Sequence, residues 1–386
     1  MTKKQKLIWV VTVVLSAVYI IVGNRIADNG YVMRDELANG VAEKMKVVKI
    51  LDTEYEQTLF GEYAEARGED IILFEGEFPN GYKKGSVVRA VQRVDKMYAV
   101  EMRPVQEGNT IIVYNNPDSE IDAKYMFAEF HRVTVIWVLI GLFCLLLLLF
   151  GRGKGVNTLI SLVYTIGAIF LVFIPAVLAN GNIYLWAIIT CVYIIFMTLF
   201  IVSGFTRKSF GAIIGCTGGV MVSGILVFFC DIFLHMSGLV SEDSMYLMLL
   251  NPDNPVDIKA IIFASIIIGA VGAIMDVSMS LSSALAELKE QAPDLGKAGL
   301  IRSGFVIGRD IMGTMSNTLI LAYIGSSLST TLLLVAYNSQ TVLLFNTEMI
   351  VMELLNAVAG SFGILLTIPL TSVVCGVLYD KKQKSE

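Results

Sequence analysis

The chain has 386 residues, 55% of them hydrophobic and only 16% charged, with a net charge of −5 and a mean hydropathy of +0.69. A soluble domain carries about 25% charged residues, so this composition argues against a wholly soluble protein, and its acidic balance gives no reason to expect nucleic acid. The charges are crowded into residues 26–130, and the remainder reads as long apolar runs.

A helix that crosses a bilayer needs about 20 apolar residues. Runs of that kind cover 7–23, 133–150, 156–178, 184–204, 209–233, 258–278, 306–334 and 349–379, which predicts about eight spans by hydropathy. The first run follows Lys3, Lys4 and Lys6 and is not followed by an A-x-A cleavage site, so it reads as an uncleaved signal anchor. The loops give the orientation. On one side they carry Arg152, Lys154, Arg207, Lys208, Lys289 and Lys297, with Lys381, Lys382 and Lys384 in the tail. The opposite loops, at 179–183, 234–257 and 337–347, carry no Lys or Arg. The positive-inside rule then places both termini in the cytoplasm and residues 26–130 outside. Trp9, Trp137 and Trp186 fall near span ends, where amphipathic indoles belong. The last two runs exceed one crossing, and Pro175 and Pro369 predict kinks.

Residues 26–130 change character. Strand-like stretches occur at 44–51, 71–74, 86–94, 97–103 and 110–114. They are separated by turn signals at Pro79-Asn80-Gly81, Val94-Asp95 and Glu107-Gly108-Asn109. Short strands so closely spaced predict a small barrel or sandwich. No phosphate loop, histidine cluster or nucleophile setting is present there, which favours a binding or scaffolding module over an enzyme. The fold class expected is an α-helical polytopic membrane protein with a small extracytoplasmic β-rich domain between its first two spans. Its parts are an anchor over 1–25, the outer domain over 26–130, a seven-helix membrane domain over 131–380 and a cytoplasmic tail over 381–386.

Ionisable groups inside spans are costly, about 2.5–3.5 kcal/mol each on insertion scales, so they single out candidate sites. The run at 258–278 continues through Gly269-Ala-Val-Gly-Ala-Ile-Met-Asp276-Val-Ser-Met-Ser-Leu-Ser-Ser-Ala-Leu-Ala-Glu287. At 100° per residue Asp276, Ser280, Ser283, Glu287 and Glu290 share one narrow face, and Val277, Leu281, Ala284, Leu285 and Leu288 cover the other side. The next run holds Gly308-Arg309-Asp310 followed by Thr314, Ser316, Asn317 and Thr318. Arg302, Arg309 and Ser316 share one face of it, and Asp310, Thr314 and Asn317 another. An antiparallel pair of these helices would bring Arg309 toward the level of Asp276. Two readings stand. In one, Asp276 and Arg309 pair near the cytoplasmic interface and fix helix packing. In the other, Asp276 or Asp310 binds and releases a proton or cation along a path lined by Ser280, Ser283, Thr314 and Asn317. Gly211, Gly215 and Gly219, and likewise Gly304 and Gly308, have the four-residue spacing that lets helices approach closely. Cys144, Cys191, Cys216, Cys230 and Cys375 form no CxxC pair and read as free thiols, so no metal or cofactor is expected. The motifs HExxH and GxSxG do not occur, and no enzyme is expected.

The stretches MDVSMSLSSAL and GRDIMGTMSNTLILAYIGSSL, at 275–285 and 308–328, resemble the YibE/F family of bacterial multipass membrane proteins. The resemblance covers most of residues 130–380 and implies a bacterial cytoplasmic membrane protein engaged in export or transport. A weaker likeness is to half of an RND-type or SecD/SecF-type unit. It rests on the order of anchor, outer domain, Asp-bearing helix and a cytoplasmic amphipathic segment at about 284–300. That likeness implies cation-driven movement, although the span count and the small outer domain depart from it. The function expected is therefore a cation-coupled transporter or export-associated protein. The alternative is a non-transporting scaffold or sensor that recruits a partner through its outer domain. The partners expected are the lipid bilayer, a second copy or another membrane protein, and a substrate that the sequence does not name.

Overall fold

The structure, a computed structural model, describes residues 3–27, 42–51, 69–95, 103–115, 123–239, 242–249, 255–337 and 340–380. Its contacts divide the chain into two compact units. One comprises Met1–Tyr31 with Leu147–Glu386, the other Val32–Leu146.

The second unit contains a closed five-stranded barrel. Its strands are β1 (Ala42–Ile50), β2 (Glu69–Glu77), β3 (Val87–Asp95), β4 (Thr110–Asn115) and β5 (Tyr125–Phe130), in the order β1-β2-β3-β5-β4. All neighbours are antiparallel except β3 and β5, which pair parallel at Ala90–Tyr125 and Val91–Met126. That order and that one parallel pair are those of an OB-type Greek-key barrel. Alternation fills it: Met45, Val47, Phe74, Ala90, Ile111 and Val113 point inward, while Lys46, Val48 and Tyr114 point out. Gly108, at φ +85°, takes the left-handed turn before β4, and its N–H donates to Val47 O at 2.9 Å. Of the predicted strand at 97–103, residues 97–102 lie outside those described, and Arg103–Gln106 is irregular. That segment is held instead by the buried Gln92, whose Nε2 donates to Arg103 O at 3.1 Å and whose Oε1 accepts from Val105 N at 2.8 Å.

Lys83 ties the barrel together at the β2–β3 turn. Its ammonium donates to Glu43 Oε1 at 2.5 Å and to Tyr125 Oη at 2.8 Å, and it lies 5.2–5.4 Å from the ring centroids of Phe78, Tyr82 and Tyr125. The Glu43 carboxylate, and then the Tyr125 hydroxyl, hold Lys83 above the ordinary lysine range.

The first unit is helical. Its anchor α1 (Lys3–Ala27) stacks Tyr19 on Tyr193 at 3.8 Å between centroids. A helical stretch of 46 residues, Val133–Leu178, comprises α2 (Val133–Gly167), which is two helices joined at a kink, a π segment (Ala168–Phe173) and α3 (Ile174–Leu178). Forty-six helical residues are more than twice the about 20 that one crossing needs. Arg152 breaks it, with φ +47° and ψ −126°, and Pro175 follows the π segment. The chain continues through α4 (Ile183–Ser203), α5 (Arg207–Leu234), α6 (Glu242–Leu249), α7 (Ile258–Gln291), α8 (Lys297–Ser326), α9 (Leu328–Tyr337), α10 (Thr341–Asn346) and α11 (Glu348–Asp380). Pro369 lies inside α11, which runs on without interruption. Among the described residues six helices are long and apolar enough to cross a membrane, or seven when α8 and α9, bent by 66°, count as one.

The predicted amphipathic segment at 284–300 is not a separate element. Helix α7 carries through to Gln291, and Lys289 closes the following turn by donating to Pro293 O and Leu295 O at 2.7 and 2.8 Å. The centre of the unit is α5, α7 and α11, drawn together by the glycine repeat. A Cβ on Gly215 would overlap Thr371 Oγ1, and one on Gly219 would overlap Thr367 Oγ1. Gly304 and Gly308 admit Ser372 and Ile368 of α11 in the same way.

Candidate functional site

Helix α7 is the most enclosed of the long apolar helices, and its serines divide between two roles. Ser278 and Ser282 point inward. Ser278 Oγ donates to Ala212 O at 2.6 Å and meets Thr371 Oγ1 at 3.0 Å. Ser282 Oγ donates to Lys208 O and meets Tyr379 Oη, both at 2.7 Å. These bonds satisfy buried hydroxyls and join α7 to α5 and α11. Ser203 Oγ, at the end of α4, donates to the Met279 thioether sulfur at 3.6 Å.

The side left open carries the predicted residues. Ser265, Gly269, Gly272, Asp276, Ser280 and Glu287 are exposed along it, and Ser283 is half-buried. Their spacing of three and four residues keeps them on one face. Among the described residues no large apolar side chain of α7 is exposed. The other helices differ: the open side of α2 presents Val135, Leu139, Phe143 and Leu146, and that of α5 presents Met221, Ile225, Phe228 and Phe229. The contrast separates surfaces suited to lipid from one suited to water or to a polar partner.

Helix α8 carries Arg309, Asp310, Thr314 and Asn317, all exposed. Thr314 Oγ1 donates to Ile311 O at 2.9 Å within its own helix. Two contacts give the register against α7. A Cβ on Gly304 would stand 3.2 Å from Leu285 Cδ1, and Gly360 of α11 faces both Leu319 and Ala270. The helices therefore run antiparallel, with Arg309 level with Ser280 and Asp276 level with Gly313. Arg309 and Asp276 are thus about four residues, or about 6 Å of helix rise, apart in level. Among the described residues neither makes an ion pair or a side-chain hydrogen bond. The structure brings Asp276, Ser280 and Ser283 onto one face and leaves the expected Asp276–Arg309 pair unmade.

Sequence reasoning passed over a second acid. Glu353 lies one and a half turns into α11, with Asn356 one turn further along the same side, and α8 ends opposite them. An acid at the start of an apolar run, followed three residues later by an amide, was the available signal.

The profile of the YibE/F-like protein family matches residues 139–381, the greater part of the chain. Neither a curated protein nor a solved structure matches it. The matched segment contains α7, α8 and α11 whole, together with each candidate residue named above. The chain belongs to the YibE/F-like family.

Proposed function

We propose that this protein is a transporter or export-associated protein of the bacterial cytoplasmic membrane, coupled to a cation, with Asp276 at the centre of its path. The observation that carries the reading is the open side of α7. Between its end residues Lys259 and Gln291, the most enclosed of the long helices exposes only Gly, Ser, Asp and Glu, while its neighbours expose Leu, Ile, Val and Phe. Lipid contact at that side would leave an ionisable carboxylate in hydrocarbon, at about 2.5–3.5 kcal/mol on insertion scales. A hydrated path removes that cost. Ser280, Ser283, Thr314 and Asn317 supply hydroxyl and amide groups along it, and Arg309 and Asp310 set its charge.

The topology proposed counts the run at 133–178 as two spans, turned at Arg152, and the bent α8–α9 pair as one, which makes eight. Both termini are then cytoplasmic and the barrel lies outside, in agreement with the distribution of Lys and Arg over the loops. The test is proton and sodium flux into proteoliposomes, read by entrapped dyes. Asp276→Asn and Arg309→Ala are expected to lower flux while leaving the protein folded. Unchanged flux in both variants sinks the proposal.

A further inference from the structure

Helix α1 is held along its second half. Asn24 Nδ2 donates to Leu171 O at 2.6 Å, Tyr164 Oη donates to Val13 O at 3.1 Å, and a Cβ on Gly23 would stand 2.9 Å from Val172 Cγ1. The first half parts from α4. The two helices flank a cleft of about 450 Å³ there, with Leu7, Val11 and Leu15 on one wall and Phe196, Phe200 and Phe205 on the other. The stacked rings of Tyr19 and Tyr193, 3.8 Å apart, close one end. Thr12 and Ser16 also line it, and their hydroxyls donate within α1, to Ile8 O at 2.9 Å and to Thr12 O at 2.8 Å. Leu7, Val11, Leu15 and Phe205 stay exposed, so the cleft opens sideways along its length.

The dimensions select the occupant. From Leu7 to Tyr19 a helix rises about 18 Å, close to the about 15 Å of one leaflet in a core of about 30 Å. Spread over that length, about 450 Å³ leaves a mean cross-section of about 25 Å². An α-helix about 10 Å across would need about 80 Å². One extended hydrocarbon chain fits where a helix of a partner does not. The end away from the tyrosines is basic: Lys6 precedes Leu7, and Arg207 and Lys208 follow Phe205. Arg207 is engaged with α11, its Nη1 donating to Leu378 O at 3.5 Å. Among the described residues Lys6 and Lys208 make no ion pair. Neither residues 1–27 nor residues 133–230 contain Asp or Glu, so the helices that form the cleft bring no carboxylate to this end.

We propose that the cleft between α1 and α4 binds one anionic phospholipid, with an acyl chain along Val11 and Phe200 and the phosphate at Lys6 and Lys208. Hydrocarbon gains little by leaving other lipid tails for an apolar cleft, because both are equally apolar. Selectivity then comes from the headgroup. Lysines at the membrane surface attract anionic headgroups, and basic pockets between helices hold them. A zwitterionic headgroup would bring its own cation up to Lys6 and Lys208, with no carboxylate from these helices to receive it. The inference goes beyond the transport reading and takes from it only the topology, which makes the leaflet that supplies the lipid the cytoplasmic one.

The experiment counts bound lipid. Full-length protein is stripped of lipid in a neutral detergent and titrated with phosphatidylglycerol, or with phosphatidylcholine of the same acyl chains, and native mass spectrometry reads the complexes. One phosphatidylglycerol should bind saturably at concentrations where phosphatidylcholine does not. Lys6→Gln and Lys208→Gln should weaken it about fivefold each and about 30-fold together. Val11→Trp, which fills the cleft, should abolish it, and Ile225→Trp, on the exposed side of α5, should leave it unchanged. Equal binding of the two lipids overturns the proposal, as does phosphatidylglycerol that stays on after Val11→Trp or binds the double lysine variant as tightly as wild type. Displacement by soluble glycerol phosphate would assign the lysines to a free anion and overturns it too. Where Val11→Trp does not fold, Leu7→Trp at the basic end decides, unchanged binding counting against the site. Lost lipid selectivity leaves the transport reading standing, and absent flux leaves this one.

Discussion

The sharpest test of the helical core is Gly215→Ala. Gly215 lies on α5 where Ser278 of α7 and Thr371 of α11 meet at 3.0 Å, with both hydroxyls fully buried. An added methyl overlaps Thr371 Oγ1 and stands 3.0 Å from Ser278 Oγ. Overpacking of this kind costs about 1–3 kcal/mol, and losing the Ser278–Thr371 bond adds about 0.5–1.5 kcal/mol. Alanine returns about 1 kcal/mol of helix propensity over glycine. The balance is a destabilisation of about 2 kcal/mol in round terms. Gly313→Ala is the control, because nothing stands within 4 Å of its new methyl; there the propensity gain of up to about 1 kcal/mol is unopposed. Reversible unfolding in mixed micelles reads both. Thr371→Ala, added to Gly215→Ala, should recover part of the loss and expose a coupling between the two sites. A Gly215→Ala protein as stable as wild type refutes the packing argument.

Lys83 predicts an alkaline weakness of the barrel. Glu43 and Tyr125 hold its folded pKa above the free value of 10.5, so its contribution is complete below that pH and drains away as the pH rises past it. Limited proteolysis of the full chain should cut residues 42–130 faster at pH 11.5 than at about pH 9.5. Lys83→Met should be cut fast at both, and equal pH dependence in the two proteins would rule the cage out. Asn182 caps α4 by accepting from Leu185 N at 3.1 Å; Asn182→Ala should cost about 1 kcal/mol in unfolding experiments, and Asn182→Asp much less. Ser280→Cys, in a background freed of native cysteines, should react with a small charged thiol reagent in intact vesicles, whereas Ile225→Cys on the lipid-suited side of α5 should not. Equal protection of both positions would place the α7 stripe out of reach of water.

The long helices and most of the barrel strands were legible because their physics is local. A spanning helix must hide every backbone group in hydrocarbon, and a half-buried strand must alternate. Strand β5 was missed because Tyr125–Phe130 alternates weakly and is fixed by long-range pairing, parallel to β3 and antiparallel to β4. Alternation at Tyr98–Met102 suggested a strand there instead. The bend after Ser326 was hidden inside one apolar run, although Gly325-Ser326-Ser327 is the kind of small polar triplet at which helices kink. The acidic stripe was readable from periodicity, and so was the glycine repeat. The roles of Ser278 and Ser282 were not, since adjacent serines in MDVSMSLSSAL differ only in which neighbour their face meets.

The register of α7 against α8 bears on the two readings of the intramembrane charges. A purely structural role asks Asp276 and Arg309 to neutralise each other, because a packed ion pair is the least costly way to keep two charges among apolar helices. The pair is not made, and the two residues differ in level by about four residues, or about 6 Å. Their hydration then has to come from elsewhere. The same helix has already used Ser278 and Ser282 to satisfy its packed side, and leaves small residues on either side of Asp276: Gly272, Ser280 and, half-buried, Ser283. Small side chains around a carboxylate leave room for water or an ion, whereas Leu or Phe in their place would seal it in. In the transport reading proposed above that room is the path, and Gly272→Leu is the variant that separates it from docking by the barrel. It should block flux by filling the space beside Asp276 while leaving folding and any partner recruited by the barrel untouched, and a Gly272→Leu protein with full flux would return the stripe to a packing role.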